Sequence, residues 1–262
     1  MNKRTFLKAA GGLLAAAPAL GLRNAVAAET DSCGRVANPL TFLLLHGAWG
    51  GGFYLEPMAE VLRREGHRVF VPTLTGQGER MHLLSRDVNL STHITDVLNV
   101  FKYEKLSDVV LVGHSYGGYV ITSVADRIPD KIRSIVFFDA FIPEDGKSFA
   151  EQQGQAKELQ ALWDKGEDGY PVPPNSTAED RTRRVGPHPL GALLEKAHIT
   201  GAWLQIPKKT YVMATATQPT VFTKFYNARK DDPAWKTLTI DSNHGFPQSH
   251  AKEAAAFAEN SI

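Results

Sequence analysis

The chain has 262 residues, of which 43% are hydrophobic and 22% are charged, and it contains 15 prolines and a single cysteine. This length suits one large α/β domain or at most two small ones, and the hydrophobic fraction excludes general disorder. One cysteine excludes an internal disulfide framework and a cysteine-based zinc site, while a net charge of +1 gives no basic excess for binding nucleic acid or an anionic membrane.

The first residues have the three-part pattern of a secretory signal peptide. Lys3, Arg4 and Lys8 give a positive start, an uncharged stretch follows over 9–22, and the small residues at 25–27 suit a cleavage site. The uncharged stretch is shorter than the roughly 20 apolar residues that a membrane-spanning helix needs. The charged start also resembles the twin-arginine export motif, with Lys3 where that motif has its first arginine, and this substitution leaves the general secretory route open.

These features divide the chain into three parts. Residues 1–28 are predicted to be a signal peptide of the twin-arginine type, residues 29–39 a polar linker, and residues 40–262 the folded domain. We therefore expect an exported protein, periplasmic or secreted, that has no membrane span after the signal peptide is cleaved.

Short apolar runs bounded by turn residues alternate with helix-length segments through the expected domain. This alternation predicts a mostly parallel sheet with helices on both faces. Between the fourth and fifth strands, residues 142–208 hold about two helices and a proline-rich turn at 169–174, and such an insertion predicts a small helical cap over a site. The predicted strands lie at 41–45, 68–72, 108–112, 133–139, 210–214 and 237–240, and the predicted helices at 54–65, 91–103, 116–128, 216–229 and 248–259.

Ser115 lies in the motif Gly-His-Ser-Tyr-Gly-Gly at 113–118, directly after a predicted strand and at the start of a predicted helix. The spacing Gly-x-Ser-x-Gly is weak evidence alone, but on a strand–turn–helix it projects the serine hydroxyl above the sheet as a nucleophile. The helix N-terminus behind it favours developing negative charge. A serine that only caps the helix is the alternative interpretation.

A serine hydroxyl needs a base to remove its proton, and His244 is the best-placed candidate. It follows the last predicted strand and precedes the C-terminal helix, which agrees with the chain order serine, acid, histidine. The other histidines fit less well: His46 and His114 adjoin glycine turns at strand ends, and His250 is expected to be exposed on the last helix. A surface loop histidine is the alternative for His244.

The acid that orients the histidine is the least constrained member of the predicted triad. The loop after the fifth strand, 215–221, holds no carboxylate. Asp139 ends the fourth strand at the rim that also carries Ser115, and it is the favoured candidate. A helix-capping or loop-bracing role is the alternative for Asp139, and the acids that stay open in its place are Asp231, Asp232, Asp241 and Glu144.

An acyl-transfer site also needs backbone N–H donors for the oxyanion. Tyr116, directly after the serine, is one expected donor, and Ala48 in the glycine-rich loop 46–53 is the other. A nucleotide-binding loop is the alternative for 46–53, but the chain lacks Gly-x-Gly-x-x-Gly at its first strand–helix turn and the Lys-Ser/Thr of a phosphate loop.

Five segments of the chain resemble the α/β-hydrolase superfamily, in particular the branch of plant methylesterases and hydroxynitrile lyases with its bacterial esterase-like relatives. They are 45–51, 74–80, 112–118, 138–143 and the loop around His244. The resemblance covers about 40–262 and implies an α/β-hydrolase fold and an ester hydrolase that works without a cofactor, and we expect no metal site.

Departures from the family pattern bear on the acid and on the reaction. Plant members of this branch place the acid after the penultimate strand, where this chain has none. Hydroxynitrile lyases of the branch carry threonine at position 47 and lysine directly after the base histidine, whereas this chain has Gly47 and Gly245. Both of the latter differences favour ester hydrolysis over cyanohydrin cleavage.

Together these features predict a serine hydrolase that cleaves a carboxylic ester of a small, largely apolar substrate through an acyl-enzyme. Its expected partner is the small-molecule ester and not a nucleic acid, and no sequence feature indicates an oligomeric state. The alternatives are a hydroxynitrile lyase or carbon–carbon bond hydrolase on the same scaffold, and a non-catalytic ligand-binding protein. The side chains expected to line an apolar pocket are Trp49, Phe53, Phe141, Trp163 and Trp203.

Overall fold

A six-stranded sheet forms the centre of the computed structural model, which describes residues 38–171, 185–217 and 219–262. The strands are β1 (Thr41–Leu45), β2 (Arg68–Phe70), β3 (Val109–His114), β4 (Ile132–Phe138), β5 (Gly169–Tyr170), β6 (His188–Pro189), β7 (Lys208–Ala214) and β8 (Lys236–Ile240). The sheet has the order β2-β1-β3-β4-β7-β8 with every neighbouring pair parallel, while β5 and β6 form a separate antiparallel pair. All six predicted strands form, and the predicted parallel α/β sheet is confirmed.

Helices cover both faces of this sheet. In β1, Leu43 and Leu45 belong to one hydrophobic cluster, and Phe42 and Leu44 belong to the other, because successive side chains of a strand point to opposite faces. The helices are α1 (Glu56–Arg64), α2 (Leu90–Tyr103), α3 (Gly117–Ala125), α4 (Phe149–Gln152), α5 (Ala156–Asp164), α6 (Leu190–Leu194), α7 (Thr223–Asn227), α8 (Phe246–Ser249) and α9 (Ala251–Glu259). α2 and α3 pack on the Leu43 face, and α1 and α9 pack on the Phe42 face.

The predicted helix 216–229 is wrong in its first half. Thr215 N and Ala216 N donate hydrogen bonds to the carbonyl oxygens of Ile240 and Ser242, at 2.9 and 3.0 Å. The chain therefore continues alongside the end of β8 and turns into a helix only at α7.

The predicted helix 248–259 is interrupted at His250. The backbone there, with φ −124° and ψ 51°, is not helical, so the segment splits into α8 and α9. His250 is half-buried, and its Nδ1 lies 3.1 Å from Ser242 Oγ. The expectation of an exposed histidine on a continuous helix is therefore wrong.

The segment between β4 and β7, which we call the cap, leaves the sheet and packs on the loop that follows β1. Its described part contains α4, α5, the β5–β6 pair and α6. Trp49 Nε1 donates to Tyr170 O at 3.2 Å, and Gly186 N donates to Trp49 O at 3.1 Å. Most of the proline-rich turn at 169–174, the predicted signal peptide and most of the linker lie outside the described residues. In the ranges that the structure describes, no helix has the length and apolar character needed to cross a bilayer.

One buried carboxylate ties the cap to the end of α3. Asp126 directly follows α3 and accepts hydrogen bonds from Thr200 N (2.6 Å), Thr200 Oγ1 (2.9 Å) and Trp203 N (3.2 Å). Burial acts to raise the pKa of Asp126, but these hydrogen bonds outweigh it and hold the pKa below its ordinary value. A carboxylate with a lowered pKa adds stability above the ordinary aspartate pKa and loses it as the pH falls through the lowered value.

Replacing Asp126 by alanine removes the acceptor for the backbone N–H groups of Thr200 and Trp203. We expect the free energy of unfolding at pH 7, measured by urea denaturation, to fall by about 2–4 kcal/mol. Asp130→Ala, at an exposed carboxylate nearby, is the matched control and should change it by less than about 0.5 kcal/mol. The cost of Asp126→Ala should begin to shrink as the pH falls below about 4, the ordinary aspartate pKa, and should shrink further as the pH passes through the lowered pKa of the folded protein. Equal losses in the two variants, or a cost independent of pH, contradict this role.

Candidate active site

Ser115 occupies a tight turn between β3 and α3. Its φ of +54° lies in the left-handed region, which costs a residue with a Cβ atom about 1–3 kcal/mol. Hydrogen bonds from neighbouring segments hold this turn, because Ser115 N donates to Phe138 O (3.2 Å) and Phe141 N donates to Ser115 O (3.0 Å). The strained strand-to-helix turn that the motif predicts is therefore present, and the end of β4 supports it.

Asp139 and His244, the predicted acid and base, are in contact. Asp139 directly follows β4, has a φ of +41° and is buried. Its Oδ2 lies 3.2 Å from His244 Nδ1, and its Oδ1 accepts a hydrogen bond from Ala214 N at 3.0 Å. The predicted contact between the carboxylate and one ring nitrogen is confirmed. Because Nδ1 faces a carboxylate, it carries the hydrogen, and Nε2 is left as the acceptor.

The four alternative acids make other contacts or face solvent, and in the part of the chain that the structure describes none of them contacts His244. Asp232 braces its own loop by accepting a hydrogen bond from Ala234 N at 2.9 Å, and Glu144 pairs with Lys147. The two remaining alternatives, Asp231 and Asp241, are exposed.

The contact between the base and the nucleophile stays a prediction. The hydrogen bonds of the described residues include none between Ser115 Oγ and His244, and in ligand-free enzymes such contacts are often long. The His244 side chain is 42% exposed, whereas that of Asp139 is 2% exposed. The histidine therefore keeps an open side toward an incoming substrate while its carboxylate partner is enclosed.

Two aromatic rings pack against His244, and the sequence had given neither of them a role in the site. Phe222 stacks on the imidazole, with 4.6 Å between ring centroids and an angle of 10°, and the His114 ring lies 4.4 Å away at 33°. His114 Nε2 also donates to His244 O at 2.9 Å, and burial lowers the pKa of His114 well below its usual range. His114 thus holds the base loop as a neutral ring. The sequence did offer a signal that His114 belongs to the site, because it directly precedes Ser115 in the motif. It offered no such signal for Phe222.

The loop after β1 lies against Ser115. A Cβ atom at Gly47 would be 2.8 Å from Ser115 Cβ, so only glycine allows this approach. His46 is fully buried and braces the loop, because its Nδ1 donates to Gly47 O (2.7 Å) and its Nε2 accepts from Leu74 N (3.1 Å). Burial lowers the pKa of His46 to about 4, which keeps it neutral. The loop that carries Ala48 is thereby held next to Ser115 and Tyr116, while the oxyanion roles of Ala48 and Tyr116 stay predictions.

Two of the five side chains expected in the pocket belong to segments that touch the site. The Phe141 ring packs on Phe222, with 4.8 Å between centroids, and its backbone supports Ser115 as described above. Trp49, with a φ of +62°, lies in the loop after β1, and its ring contacts Tyr170 of the cap at 5.9 Å.

The other three expected pocket residues lie in different surroundings. Phe53 lines a separate cavity of about 620 Å³ whose walls, among the described residues, include neither the serine nor the histidine. Trp163 lies on α5 beneath the Arg86 guanidinium, which is 3.8 Å from its ring centroid. Trp203 is buried at the end of α3 that is remote from Ser115, where its N–H bonds to Asp126, and this position is typical of a core residue.

One cluster of described residues presents three side chains that bind metals in other proteins. The ligand atoms of Glu65, His67 and Glu259 lie within 4.8 Å of one another. His67 Nδ1 accepts a hydrogen bond from Leu40 N (3.1 Å), so Nε2 carries the hydrogen and donates to Glu259 Oε1 (2.9 Å). Both ring nitrogens are therefore engaged, and the imidazole has no free lone pair to offer a metal ion.

Comparison with known proteins agrees with this geometry. A family model described as "Alpha/beta hydrolase family" matches residues 42–257. The chain belongs to the alpha/beta hydrolase family. The resemblance seen in the sequence motifs is thereby confirmed, and so is the fold that it implied.

Relatives among characterised proteins and solved structures place the chain within this family. It is 38% identical over 237 residues to the carbendazim hydrolyzing esterase of Nocardioides sp. (strain SG-4G), a match that spans 82% of this chain and 98% of that protein. Methylesterase 2 of Arabidopsis thaliana is 33% identical over 116 residues, which is 43% of this chain and 44% of that protein. An extracellular α/β-hydrolase from a Paenibacillus species, described as sharing structural and functional homology with tobacco salicylic acid binding protein 2, superposes with a TM-score of 0.72. That match has 28% identity and covers 85% of this chain and 99% of the other. The chain is an esterase-type α/β-hydrolase.

Asp139→Asn tests the role of the buried carboxylate. Asparagine keeps an oxygen for the hydrogen bond from Ala214 N but favours the wrong tautomer of His244, so kcat on an aryl ester should fall by as much as ~10⁴-fold without loss of the fold. Asp231→Asn and Asp232→Asn make the same chemical change at exposed positions and should leave kcat close to wild type. Comparable losses in all three variants, or an active Asp139→Asn enzyme, would show that another group orients His244.

Proposed function

We propose that this chain is an exported serine hydrolase that cleaves a carboxylic ester of a small, largely apolar substrate through an acyl-enzyme. The observation that carries the proposal is the contact between His244 Nδ1 and the buried Asp139 carboxylate, at the same rim of the sheet as the strained Ser115 turn. Because Nδ1 faces the carboxylate, His244 Nε2 is the nitrogen that would act as the base toward Ser115.

In the first half of the reaction, Ser115 Oγ attacks the ester carbonyl carbon while His244 Nε2 takes the hydroxyl proton. The carbonyl electron pair moves onto oxygen, and the backbone N–H groups of Ala48 and Tyr116 stabilise that oxyanion. When the tetrahedral intermediate collapses, the bond to the leaving alcohol breaks and the alcohol receives the proton from His244. Asp139 accepts the hydrogen bond from His244 Nδ1 and stabilises the imidazolium while His244 holds the extra proton.

In the second half, water attacks the acyl-enzyme with His244 again acting as the base. The bond between the acyl group and Ser115 Oγ breaks, the serine regains its proton, and the carboxylic acid leaves. The sequence of steps needs no cofactor, since every proton is held by His244 and every negative charge is met by a backbone N–H group or by the imidazolium.

Aromatic packing around the base supports an apolar substrate. Phe222 stacks on His244, and Phe141 packs on Phe222. Phe149 in turn packs on Phe141 at 4.8 Å and on Tyr116 at 5.6 Å. The similarity to a carbendazim hydrolyzing esterase over nearly its whole length makes carbendazim the first compound to assay, beside aryl and alkyl esters of increasing chain length.

Export is part of the proposal. It is supported by the signal-peptide pattern over 1–28 and by the similar Paenibacillus enzyme, which is extracellular. Cleavage after this pattern would release residues 40–262 with their short linker into the periplasm or the medium.

Crowding at two glycines opposes the lyase alternative. A side chain at position 47 would collide with Ser115, which leaves no space for threonine there. A Cβ atom at Gly245 would lie 3.0 Å from the Tyr54 hydroxyl and 3.1 Å from Asn243 Oδ1, so a lysine directly after His244 would be crowded as well. Both observations favour ester hydrolysis.

Ser115→Ala tests the proposed function. The variant should lose ester hydrolysis by on the order of 10⁴-fold or more and keep its thermal melting profile, because only one side-chain oxygen is removed. A serine-reactive aryl phosphonate should add one adduct mass to the wild type and none to the variant, as read by intact-protein mass spectrometry. Full activity in Ser115→Ala would overturn the mechanism, and cyanide release from a cyanohydrin without ester hydrolysis would favour the lyase.

A further inference from the structure

Two fully buried polar side chains meet where the cap packs on the core. Gln77 lies in the turn region after β2, and His188 lies in β6 of the cap, 111 residues further along the chain. His188 Nδ1 is 3.0 Å from Gln77 Oε1. The remaining polar atom of each side chain, Gln77 Nε2 and His188 Nε2, has no hydrogen-bond partner among the residues that the structure describes. Buried polar atoms are rarely left this way unless a ligand or an ordered water supplies the partner.

The adjoining buried histidine does not share this feature. The His93 ring lies 5.7 Å from that of His188, yet its Nδ1 pairs with Tyr116 OH and its Nε2 with Thr75 O, both at 3.0 Å. His46 likewise uses both of its nitrogens, as described above. Other buried polar atoms without a partner among the described residues are His114 Nδ1, Gln152 Oε1, Gln153 Nε2 and Arg229 Nε. The Gln77–His188 pair differs from them in that a hydrogen bond joins two such side chains.

The pair offers one hydrogen-bond donor and one acceptor together. Burial lowers the pKa of His188 well below its usual range, so the ring is neutral and carries one hydrogen. If Nδ1 holds it and donates to the Gln77 oxygen, His188 Nε2 is an acceptor and the Gln77 amide is a donor. If the amide is turned over, the roles of the two atoms exchange. In either arrangement the complementary group carries both a donor and an acceptor.

The pair lies beside the expected oxyanion donors. The His188 ring meets the Tyr116 ring at 4.5 Å and 73°, and it meets the Trp49 ring at 6.4 Å. Tyr116 directly follows Ser115 in the chain, and Trp49 directly follows Ala48. The hydrogen bond from Gly186 N to Trp49 O fixes the cap next to this loop. The cap side chain of the pair thus contacts the ring of one predicted donor, Tyr116, and the ring of the residue that follows the other predicted donor, Ala48.

We propose that Gln77 and His188 form a specificity site for a substrate group that carries both a hydrogen-bond donor and an acceptor, as an amide or carbamate group does. The group lies beneath the cap while the scissile ester lies at Ser115, so this inference rests on the proposed ester hydrolysis. An ester without such a group leaves the two buried atoms unpaired, and a site built for hydrogen bonds discriminates against such an analogue.

The test compares matched pairs of 4-nitrophenyl esters. In each pair one ester carries an amide group in its acyl chain and the other carries two methylene groups in its place, and the amide moves along the chain by one position from pair to pair. For at least one position, the kcat/KM of the wild type should be about tenfold higher for the amide ester, with the difference mainly in KM. Gln77→Leu and His188→Phe should each bring that ratio close to one by lowering kcat/KM for the amide ester alone.

A matched control and conservative variants show whether a change in the ratio comes from the Gln77–His188 pair. His198→Phe makes the same substitution at an exposed position of the cap and should leave the ratio unchanged. Where His188→Phe or Gln77→Leu fails to fold by circular dichroism, His188→Asn and Gln77→Met replace them. The ratio of kcat/KM values for the two esters can be measured on the wild type whether or not any variant folds.

The outcomes separate the inference from the proposed function. A wild-type ratio near one at every amide position, or a ratio that survives both substitutions, shows that the pair holds only a water and overturns the specificity site. A wild type that hydrolyses neither ester of any pair overturns the proposed ester hydrolysis and the specificity site with it. Loss of the ratio in both variants, with the His198→Phe control unchanged, supports the inference.

Discussion

A carboxylate taken out of water needs hydrogen-bond partners for both of its oxygens, and at Asp139 this requirement joins separate parts of the chain. One oxygen accepts from Ala214 N at the end of β7, and the other faces His244 Nδ1 in the loop after β8. The backbone N–H of Asp139 donates to Val212 O as well. The position of the base is therefore set by the packing of β4 against β7, and any shift of these strands would leave a buried charge unpaired.

Several residues near this carboxylate, at one rim of the sheet, have strained backbone conformations. Ser115, Asp139 and Trp49 all have positive φ angles although each carries a Cβ atom, and each follows a strand or lies in the loop after one. Such conformations persist only where neighbouring structure over-determines them. Here the hydrogen bonds that link Ser115 to the end of β4, and the close approach of Gly47 to Ser115, provide that constraint. The buried central strands β3 and β4 are thus what allow a reactive turn to hold its shape without a bound substrate.

Short patterns in the sequence predicted the features that depend on neighbouring residues of the chain, namely the strands and the residues at their ends. Parallel strands buried on both faces appear in the sequence as short apolar runs, and a carboxylate at the end of such a run lies at the rim of the sheet. Asp139 could therefore be predicted as the acid although the loop after β7 holds no carboxylate. Contacts between distant segments left no comparable signal. Phe222 stacks on His244 from a segment predicted as helix, and Gln77 meets His188 across 111 residues of chain, part of which lies in the cap. The start of α7 was missed for the same reason, because hydrogen bonds to the end of β8 override local helix propensity there.

The proton between Asp139 and His244 is the most direct test of this account. Proton magnetic resonance of the ¹⁵N-histidine-labelled enzyme should show a strongly deshielded Nδ1 proton for His244, lost in Asp139→Asn and kept in Asp231→Asn. His67, whose Nε2 faces Glu259, serves as an internal reference because its proton should not respond to either change. A His244 proton that persists unchanged in Asp139→Asn, or that disappears in Asp231→Asn, would contradict the assignment of Asp139 as the partner of the base.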